Sequence, residues 1–333
     1  MSKVAVFGAG SWGTAFSVVL ADAGNDITLW GRREELCATI NEKRENTDYL
    51  PGIELPDTVV ATHDPERTAA GAEFVVFAVP SQTLRDNLND WSQVLPTDAM
   101  LVSLMKGVEL GSVKRMSQVI EEVTGVDAGR IGVVSGPNLA LPIARREPAA
   151  SVVACPDESN ATRLRGLCHS ATFRPYSSTD VVGCELGGAY KNVIALSVGM
   201  AIGLGFGDNT TASVITRGLA EIARLATKLG ADPMTLMGLA GLGDLVATCS
   251  SPLSRNRSFG EKLGQGMTLQ EITSSTRQVA EGVKTCSSLL SLAHQADVYA
   301  PIVEAVHAVV EGETTAADML TALISREAKH ERD

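Results

Sequence analysis

The sequence predicts an α/β fold, an N-terminal Rossmann-like doubly wound sheet followed by an all-helical C-terminal domain, on three observations. Short β-branched runs alternate with longer helical stretches through the first half of the chain, the order that builds a mainly parallel sheet with helices on both faces. A glycine pattern, GAGSWG at 8–13, stands directly after the first of these runs and opens the first helix. Beyond about residue 182 the β-branched runs stop and long helical patterns take over. The chain of 333 residues also exceeds the roughly 250–300 residues at which a single core stops growing. Two domains are therefore expected, a dinucleotide-binding Rossmann domain over 1–182 and a helical substrate and catalytic domain over 183–333.

VAVF (4–7) reads as the first strand, followed by a helix expected over 13–23. ITLW (27–30) is the second strand, with a helix from 34. VVAT (59–62), FVVFAVP (74–80), AMLVSLM (99–105), RIGVVSG (130–136) and AASVVAC (149–155) continue the series, with helices between most of them. Strands without apolar–polar alternation are those covered on both faces. In the second half GCELGGAYKNVIALSVGMAIG (183–203), TTASVITRGLAEIARLATKLG (210–230) and EGVKTCSSLLSLAHQA (281–296) read as helices. A ligand at the carboxyl ends of the strands would lie in the cleft between the two domains.

Composition excludes several classes of function. Formal net charge is −11 and no Lys/Arg-rich run is present, so a nucleic-acid partner is not expected. If the ligand is an anion, the site must carry its own local positive charge against that background. The six cysteines are scattered without a CxxC pair, which suggests neither a metal site nor a disulfide framework and fits a reducing cytoplasm. MSKVAVFG enters a strand at once, leaving no room for a signal peptide. The longest uncharged stretch, 192–207, is shorter than the roughly 20 residues a bilayer requires, so no membrane span is expected. A homodimer is compatible with the sequence and is not specified by it.

In GAGSWG, Gly8 permits the tight turn, Gly10 lets a pyrophosphate approach the backbone, and Gly13 allows close packing of helix on strand. The helix N-terminus supplies amide donors and partial positive charge. The acidic residue that would hold an adenosine ribose after the second strand is absent, and WGRR stands there instead. Arg32 and Arg33 can accommodate a 2′-phosphate, so NADP(H) is admitted and NAD(H) left open. The same arginines also read as an ordinary solvated helix start.

Hydride chemistry on a ketone requires a proton donor, and no histidine lies in a glycine-rich or charged constellation. Lysine serves if burial or a neighbouring cation lowers its pKa. Lys191 is the lone cation in an otherwise apolar, glycine-rich run, and Lys106 in SLMKG stands at the end of the fifth strand. The two could share one anionic substrate, Lys106 binding it and Lys191 transferring the proton. The competing reading is a structural Lys191, paired with a carboxylate such as Glu185 or snorkelling to the surface; the surrounding glycines count against it because they leave room for something to lie on the helix. In GLAGLGDLVATCSSPLSRNRSFG (238–260), Ser254 is a natural N-cap with Arg255, Asn256 and Arg257 in the first turn. Cations beside the positive end of a helix are unfavourable unless an anion binds there; an ordinary capped helix with solvated arginines is the alternative.

GAGSWGTA, FAVPSQ, SLMKG, SGPNLA, GAYKNVIA, GLGFGDNT, ITRGLAE, GLAGLGDL, CSSPLSRNR and VAEGVKT, in order from 8 to 285, make the chain resemble the bacterial-type NAD(P)-dependent glycerol-3-phosphate dehydrogenases. The resemblance implies reversible reduction of dihydroxyacetone phosphate to sn-glycerol 3-phosphate, supplying phospholipid synthesis in the cytoplasm. It implies Lys191 as proton donor and acceptor, and Lys106, Gly136, Asn138, Asp244, Ser254, Arg255 and Asn256 as substrate contacts. It implies Ser11, Trp12, Arg32, Arg33, Lys106, Ala140, Arg255, Val279 and Glu281 as cofactor contacts. Asn138 stands where the family commonly has Ser or Thr, and LPIA lacks the family's acidic residue. Two rival readings are a 3-hydroxy-acid dehydrogenase of the same architecture and a cofactor-sensing module without catalysis. The first typically carries an amide a turn after its lysine, where this chain has Asn192 adjacent; intact Lys191, Lys106 and Asp244 speak against the second.

Overall fold

The computed structural model describes residues 1–275, 280–325 and 330. Eight strands form one sheet: β1 (Lys3–Phe7), β2 (Asp26–Trp30), β3 (Val59–Thr62), β4 (Phe74–Phe77), β5 (Met100–Ser103), β6 (Ile131–Ser135), β7 (Ala149–Ala154) and β8 (Phe173–Ser178). Their order is β3-β2-β1-β4-β5-β6-β7-β8, parallel except for the antiparallel β6–β7 pair. β1, β4, β5 and β6 are buried along almost their whole length, which explains their continuous apolar runs. Their side chains divide between two cores. Val4, Val6, Val76 and Val102 face one and Ala5, Phe7, Val75, Phe77 and Leu101 the other.

Register places Phe7 opposite both Trp30 and Phe77, and Phe77 opposite Ser103, so four strands end at one level. Chain order reverses between β1 and β4, and the crevice at such a switch point is where parallel sheets receive ligands. The fourth and fifth strands end sooner than the sequence suggests, at Phe77 and Ser103. The apolar residues beyond them, Ala78–Pro80 and Leu104–Met105, run on as loop at the cleft. The first helix, Ser11–Asp22, starts ahead of the expected 13.

The sequence reading missed β8. FRPYSS carries Pro175 and alternates buried with exposed residues; it is an edge strand paired only with β7, the one position in a sheet that tolerates a missing backbone donor. The helical half then opens at Val181, just ahead of the expected 183, with the central helix Val181–Gly203 capped by Asp180 Oδ1, which accepts from Gly183 N at 2.8 Å. Of its 23 residues all but Val182, Ile202 and Gly203 are buried, as a helix apolar on every side requires. The helix Arg255–Gly264 crosses it with backbones nearly touching, since a Cβ on Gly260 would lie 2.1 Å from Leu196 O and one on Gly199 2.1 Å from Arg257 O. Only glycine admits that approach, and it brings the first turn of Arg255–Gly264 beside the lysine-bearing segment.

Gly260→Ala is expected to destabilise the chain by about 1–3 kcal/mol, the range for forcing a methyl group into a closed interface. A urea midpoint equal to that of the parent would refute this reading of the crossing.

Candidate active site

The glycine loop is built for an anion. Gly8 has φ +131°, and a Cβ there would lie 2.4 Å from Ala78 O; a Cβ on Gly13 would lie 1.9 Å from Gly8 O. By contrast nothing stands within 4 Å of the Cβ position of Gly10, so the loop opens to space at that point. Gly10 caps the helix Ser11–Asp22 without a side-chain bond, and no acidic residue occupies the first turn, leaving its amides to an outside acceptor. Trp12 Nε1 is buried without a partner. Ser11 Oγ donates to Tyr49 O at 2.7 Å, and Asn46 Nδ2 donates to Ala9 O at 2.9 Å and Thr14 Oγ1 at 2.8 Å. These orphaned donors, the open face at Gly10 and the rigid backing from Asn46 fit a dinucleotide pyrophosphate.

The two arginines after β2 diverge. Arg33 pairs with Asp48 and lies over the Tyr49 ring, 5.9 Å from its centroid, and the Asp48 hydrogen bond holds its pKa above the usual value. Arg32 is exposed. Ala140 begins the helix Ala140–Ala144 and packs with Trp12 and Leu141 on the cluster of Ala15, Leu50, Ile53 and Ala144, beside the cradle. Val279 lies outside the described residues.

On the other side of the cleft, one buried carboxylate holds two ammonium groups. Asp244, 1% exposed, accepts from Lys191 Nζ on Oδ1 and from Lys106 Nζ on Oδ2 at 2.5 Å. Lys191 also donates to Thr248 Oγ1 at 2.8 Å, and Lys106 to Gly136 O at 3.0 Å. The glycines of the central helix make this possible, though they leave no free room. A Cβ on Gly187 would lie 2.5 Å from Ala240 O, and one on Gly188 3.2 Å from Lys106 Cγ, so the space is filled by the π-helical turn Leu239–Gly243 and by the stem of Lys106. That wide turn leads straight into the helix Asp244–Ser250 and aims Asp244 at both lysines, a use of π geometry common at functional sites.

Burial lowers the Lys191 pKa to about 7, with Lys106 pushing the same way and Asp244 opposing. Burial therefore outweighs the counter-ion. Glu185, the carboxylate the sequence offered as a structural partner for Lys191, is instead bound by Arg115 and Ser117. Thr248 was missed by sequence reasoning, although it lies four residues after Asp244 on one helix face, the spacing at which side chains meet.

The remaining expected substrate contacts are partly committed to the protein. Asn138 Nδ2 donates to Ser151 Oγ at 3.0 Å while its Oδ1 is buried without a partner, as is Ser135 Oγ. Asn256 Nδ2 donates to Asn192 Oδ1 at 2.9 Å, Asn256 Oδ1 accepts from Gly282 N at 3.0 Å, and Asn192 Nδ2 reaches Lys106 O at 3.5 Å. Asn256 thus ties three elements together, and Asn192 joins the site. Ser254 is buried and caps Arg255–Gly264, its Oγ accepting from Arg257 N at 3.3 Å. Arg255, in the first turn, is exposed, whereas Arg257 pairs with Glu261 at 3.7 Å. Burial raises the Glu281 pKa, against the opposing pull of Arg255, the Ser81 backbone N–H, Lys106 and Lys191. Arg255, Lys106 and Lys191 therefore all lie near enough to Glu281 to pull on its charge.

Residues 3–161 match the family described as NAD-dependent glycerol-3-phosphate dehydrogenase N-terminus, and residues 180–321 its C-terminus. The chain is 61% identical over 330 residues to a Streptomyces avermitilis protein named glycerol-3-phosphate dehydrogenase (NAD(P)+), covering 99% of this chain and 98% of that one. A Thermobifida fusca protein of the same name is 60% identical over 333 residues, covering 100% and 99%. The crystal structure of a glycerol-3-phosphate dehydrogenase from Coxiella burnetii superposes with a TM-score of 0.93 at 31% identity, covering 98% of this chain and 99% of that one. These likenesses settle the choice against the 3-hydroxy-acid and cofactor-sensing readings.

With Arg33 committed to Asp48, Arg32 is the arginine left to meet a 2′-phosphate. Arg32→Ala is expected to raise KM for NADPH about tenfold, the loss of one charge-assisted bond, with KM for NADH little changed. An unaltered NADPH:NADH ratio removes Arg32 from cofactor choice.

Proposed function

The chain belongs to the NAD-dependent glycerol-3-phosphate dehydrogenase family, and from that premise we propose that it interconverts dihydroxyacetone phosphate and sn-glycerol 3-phosphate with NADPH or NADH. The observation that carries this reading is the pair of ammonium groups, Lys106 and Lys191, held on one buried carboxylate across the cleft from an anion cradle. A nicotinamide dinucleotide held by the glycine loop would supply the hydride for the carbonyl carbon. The charge that develops on the carbonyl oxygen then needs a proton, and Lys191 Nζ gives it, becoming a neutral amine. In the reverse direction the neutral amine takes the proton from the hydroxyl.

A pKa near 7 suits both directions, because general acid–base catalysis works best when both protonation states are populated at the working pH. Asp244 Oδ1 and Thr248 Oγ1 fix two of the directions in which the ammonium donates, leaving its third N–H for the substrate oxygen. Lys106 adds positive charge beside that oxygen, and its anchorage on Gly136 O and Asp244 keeps it from moving as charge develops. Arg255, Ser254 and Asn256, at the start of the helix Arg255–Gly264, receive the phosphate with the helix amides; Gly136 and Asn138 line the sheet side. Gly8, Gly10, Gly13, Ser11, Trp12, Arg32, Arg33, Ala140 and Glu281 would hold the dinucleotide. No helix among the described residues is long and apolar enough to cross a membrane, and all six cysteines are free; a cytoplasmic place feeding phospholipid synthesis is part of the reading that the family resemblance supports.

Reduction requires protonated Lys191, so its kcat/KM is expected to fall as pH rises through about 7, and oxidation to fall as pH drops through the same value. Lys191→Ala is expected to bind NADPH, measured by nicotinamide fluorescence, and to lose about 10²- to 10⁴-fold in turnover. Near-parental turnover would take Lys191 out of the mechanism. Arg255→Ala is expected to raise KM for the ketone phosphate about tenfold; an unmoved KM refutes the phosphate site at this helix start.

A further inference from the structure

We infer that Glu185 is a positioning residue for this reaction: it ties the central helix to the base of the hairpin that carries Lys106, and so sets where Lys106 stands relative to Lys191. The inference rests on the proposed function and adds a residue that touches neither substrate nor cofactor.

Glu185 is 4% exposed and sits on the same helix as Lys191. Its carboxylate is held entirely from the sheet half: Oε1 accepts from Ser117 N at 2.7 Å, and Oε2 accepts from Ser117 Oγ at 2.6 Å and from Arg115 Nη1. Ser117 N belongs to the first turn of the helix Met116–Thr124, so a helix N-terminus and a guanidinium both stabilise the charge.

The segment between Lys106 and Arg115 is stiff. Val108 pairs antiparallel with Arg115, Glu109 N donates to Lys114 O at 2.9 Å and Val113 N to Glu109 O at 3.0 Å. Gln82 grips the turn from outside, its Nε2 donating to Val108 O at 2.8 Å and its Oε1 accepting from Leu110 N at 2.9 Å. Val113 is held at φ 58°, a conformation that disfavours a β-branched residue by about 1–2 kcal/mol and persists only where the surroundings impose it. Val108 is buried in the core of the helical half, and Val113 packs against it. Lys106 therefore stands at one end of a rigid hairpin and Arg115 at the other, bridged through Val108. The central helix holds both ends, by Glu185 at Arg115 and by Gly188 and Asn192 at Lys106.

A buried ion pair is a weak source of stability, since a well-packed apolar pair serves as well. Its directional bonds fix registry instead. Removing the carboxylate leaves the half-buried Arg115 with only Ser117 Oγ, at 3.1 Å, as a side-chain partner, and the guanidinium moves toward water with the hairpin base attached. An error of about 1 Å in Lys106 is enough to cost on the order of 10²-fold in rate.

The test measures Glu185→Ala, Glu185→Gln and Glu185→Asp in the full chain below their melting temperatures. Expected are NADPH affinity within about twofold of the parent, kcat/KM for dihydroxyacetone phosphate lowered about ten- to a hundredfold in the Ala and Gln variants, and a partial return in the Asp variant. A crystal structure of Glu185→Gln is expected to have Lys106 Nζ displaced from Asp244 Oδ2. A merely structural role lowers the melting temperature and leaves kcat/KM of the folded enzyme unmoved; that outcome, or a Lys106–Asp244 pair unchanged in the variant crystal, overturns the inference. Should Glu185→Ala fail to fold, the isosteric Gln variant decides alone. An inactive parent fails the functional reading, while an active parent with variants of unmoved kcat/KM fails this one.

Discussion

Two ammonium groups from different halves of the chain meet on one buried carboxylate, and most of the structure can be derived from the need to keep them there. A single exposed pair of this kind would be worth little, but Asp244 is nearly inaccessible, so removing it would strand two buried cations. The contact is therefore one that the fold must support from every side. Lys106 comes from the loop after β5, Lys191 from the central helix, and Asp244 from a helix that starts in a π turn. Only a chain whose sheet and helical halves are docked in one registry brings the three together.

Within the helical half, backbone contact fixes how the central helix sits against its neighbours. The Arg255–Gly264 helix and the central helix touch at glycines, and the Ala240 carbonyl lies where a Gly187 side chain would be. Interfaces of this kind have no adjustable side chains, so they position what they carry closely. Polar ties are added where direction matters. Asn256 bridges Asn192 and Gly282 N, and Glu185 bridges to Arg115 and Ser117. The apolar core makes the two halves adhere; the amides and the ion pair decide at which angle.

The sheet was legible because strands covered on both faces are written as continuous apolar runs, as in β1, β4, β5 and β6, and β2, β3 and β7 still carried short β-branched runs. β8 did not, since Pro175 and its polar neighbours disguise a strand whose outer edge needs no donors. Lys191 was legible because an ammonium among glycines contradicts its surroundings. Its partner was not, because Glu185 and Asp244 look alike in sequence, and only the π turn decides which carboxylate arrives. The glycines were read as space for a ligand, whereas two of them receive the Ala240 carbonyl and the Lys106 stem; a pattern records that a side chain is absent and says nothing of what takes its place. Likewise WGRR located two arginines without revealing that Asp48 takes one of them.

The electrostatics follow from the same docking. With a net charge of −11 the chain as a whole repels a phosphorylated substrate, and at physiological ionic strength that long-range field decays over about 8 Å. What an anion meets inside the cleft is the local balance of Lys106, Lys191 and Arg255 against Asp244 and Glu281. Asp244 is paired with both lysines and Glu281 feels the pull of all three cations, so three cations face two carboxylates, and low-dielectric walls strengthen the positive surplus. The depressed pKa of Lys191 belongs to this balance. In the mechanism proposed above, an anion bound in the cleft would favour the charged amine and raise its pKa, loading the proton as substrate arrives, and neutralisation of Lys191 on transfer would remove part of the attraction for the product. Proton transfer and anion affinity are therefore two readings of one buried charge balance, with Asp244 fixing its zero.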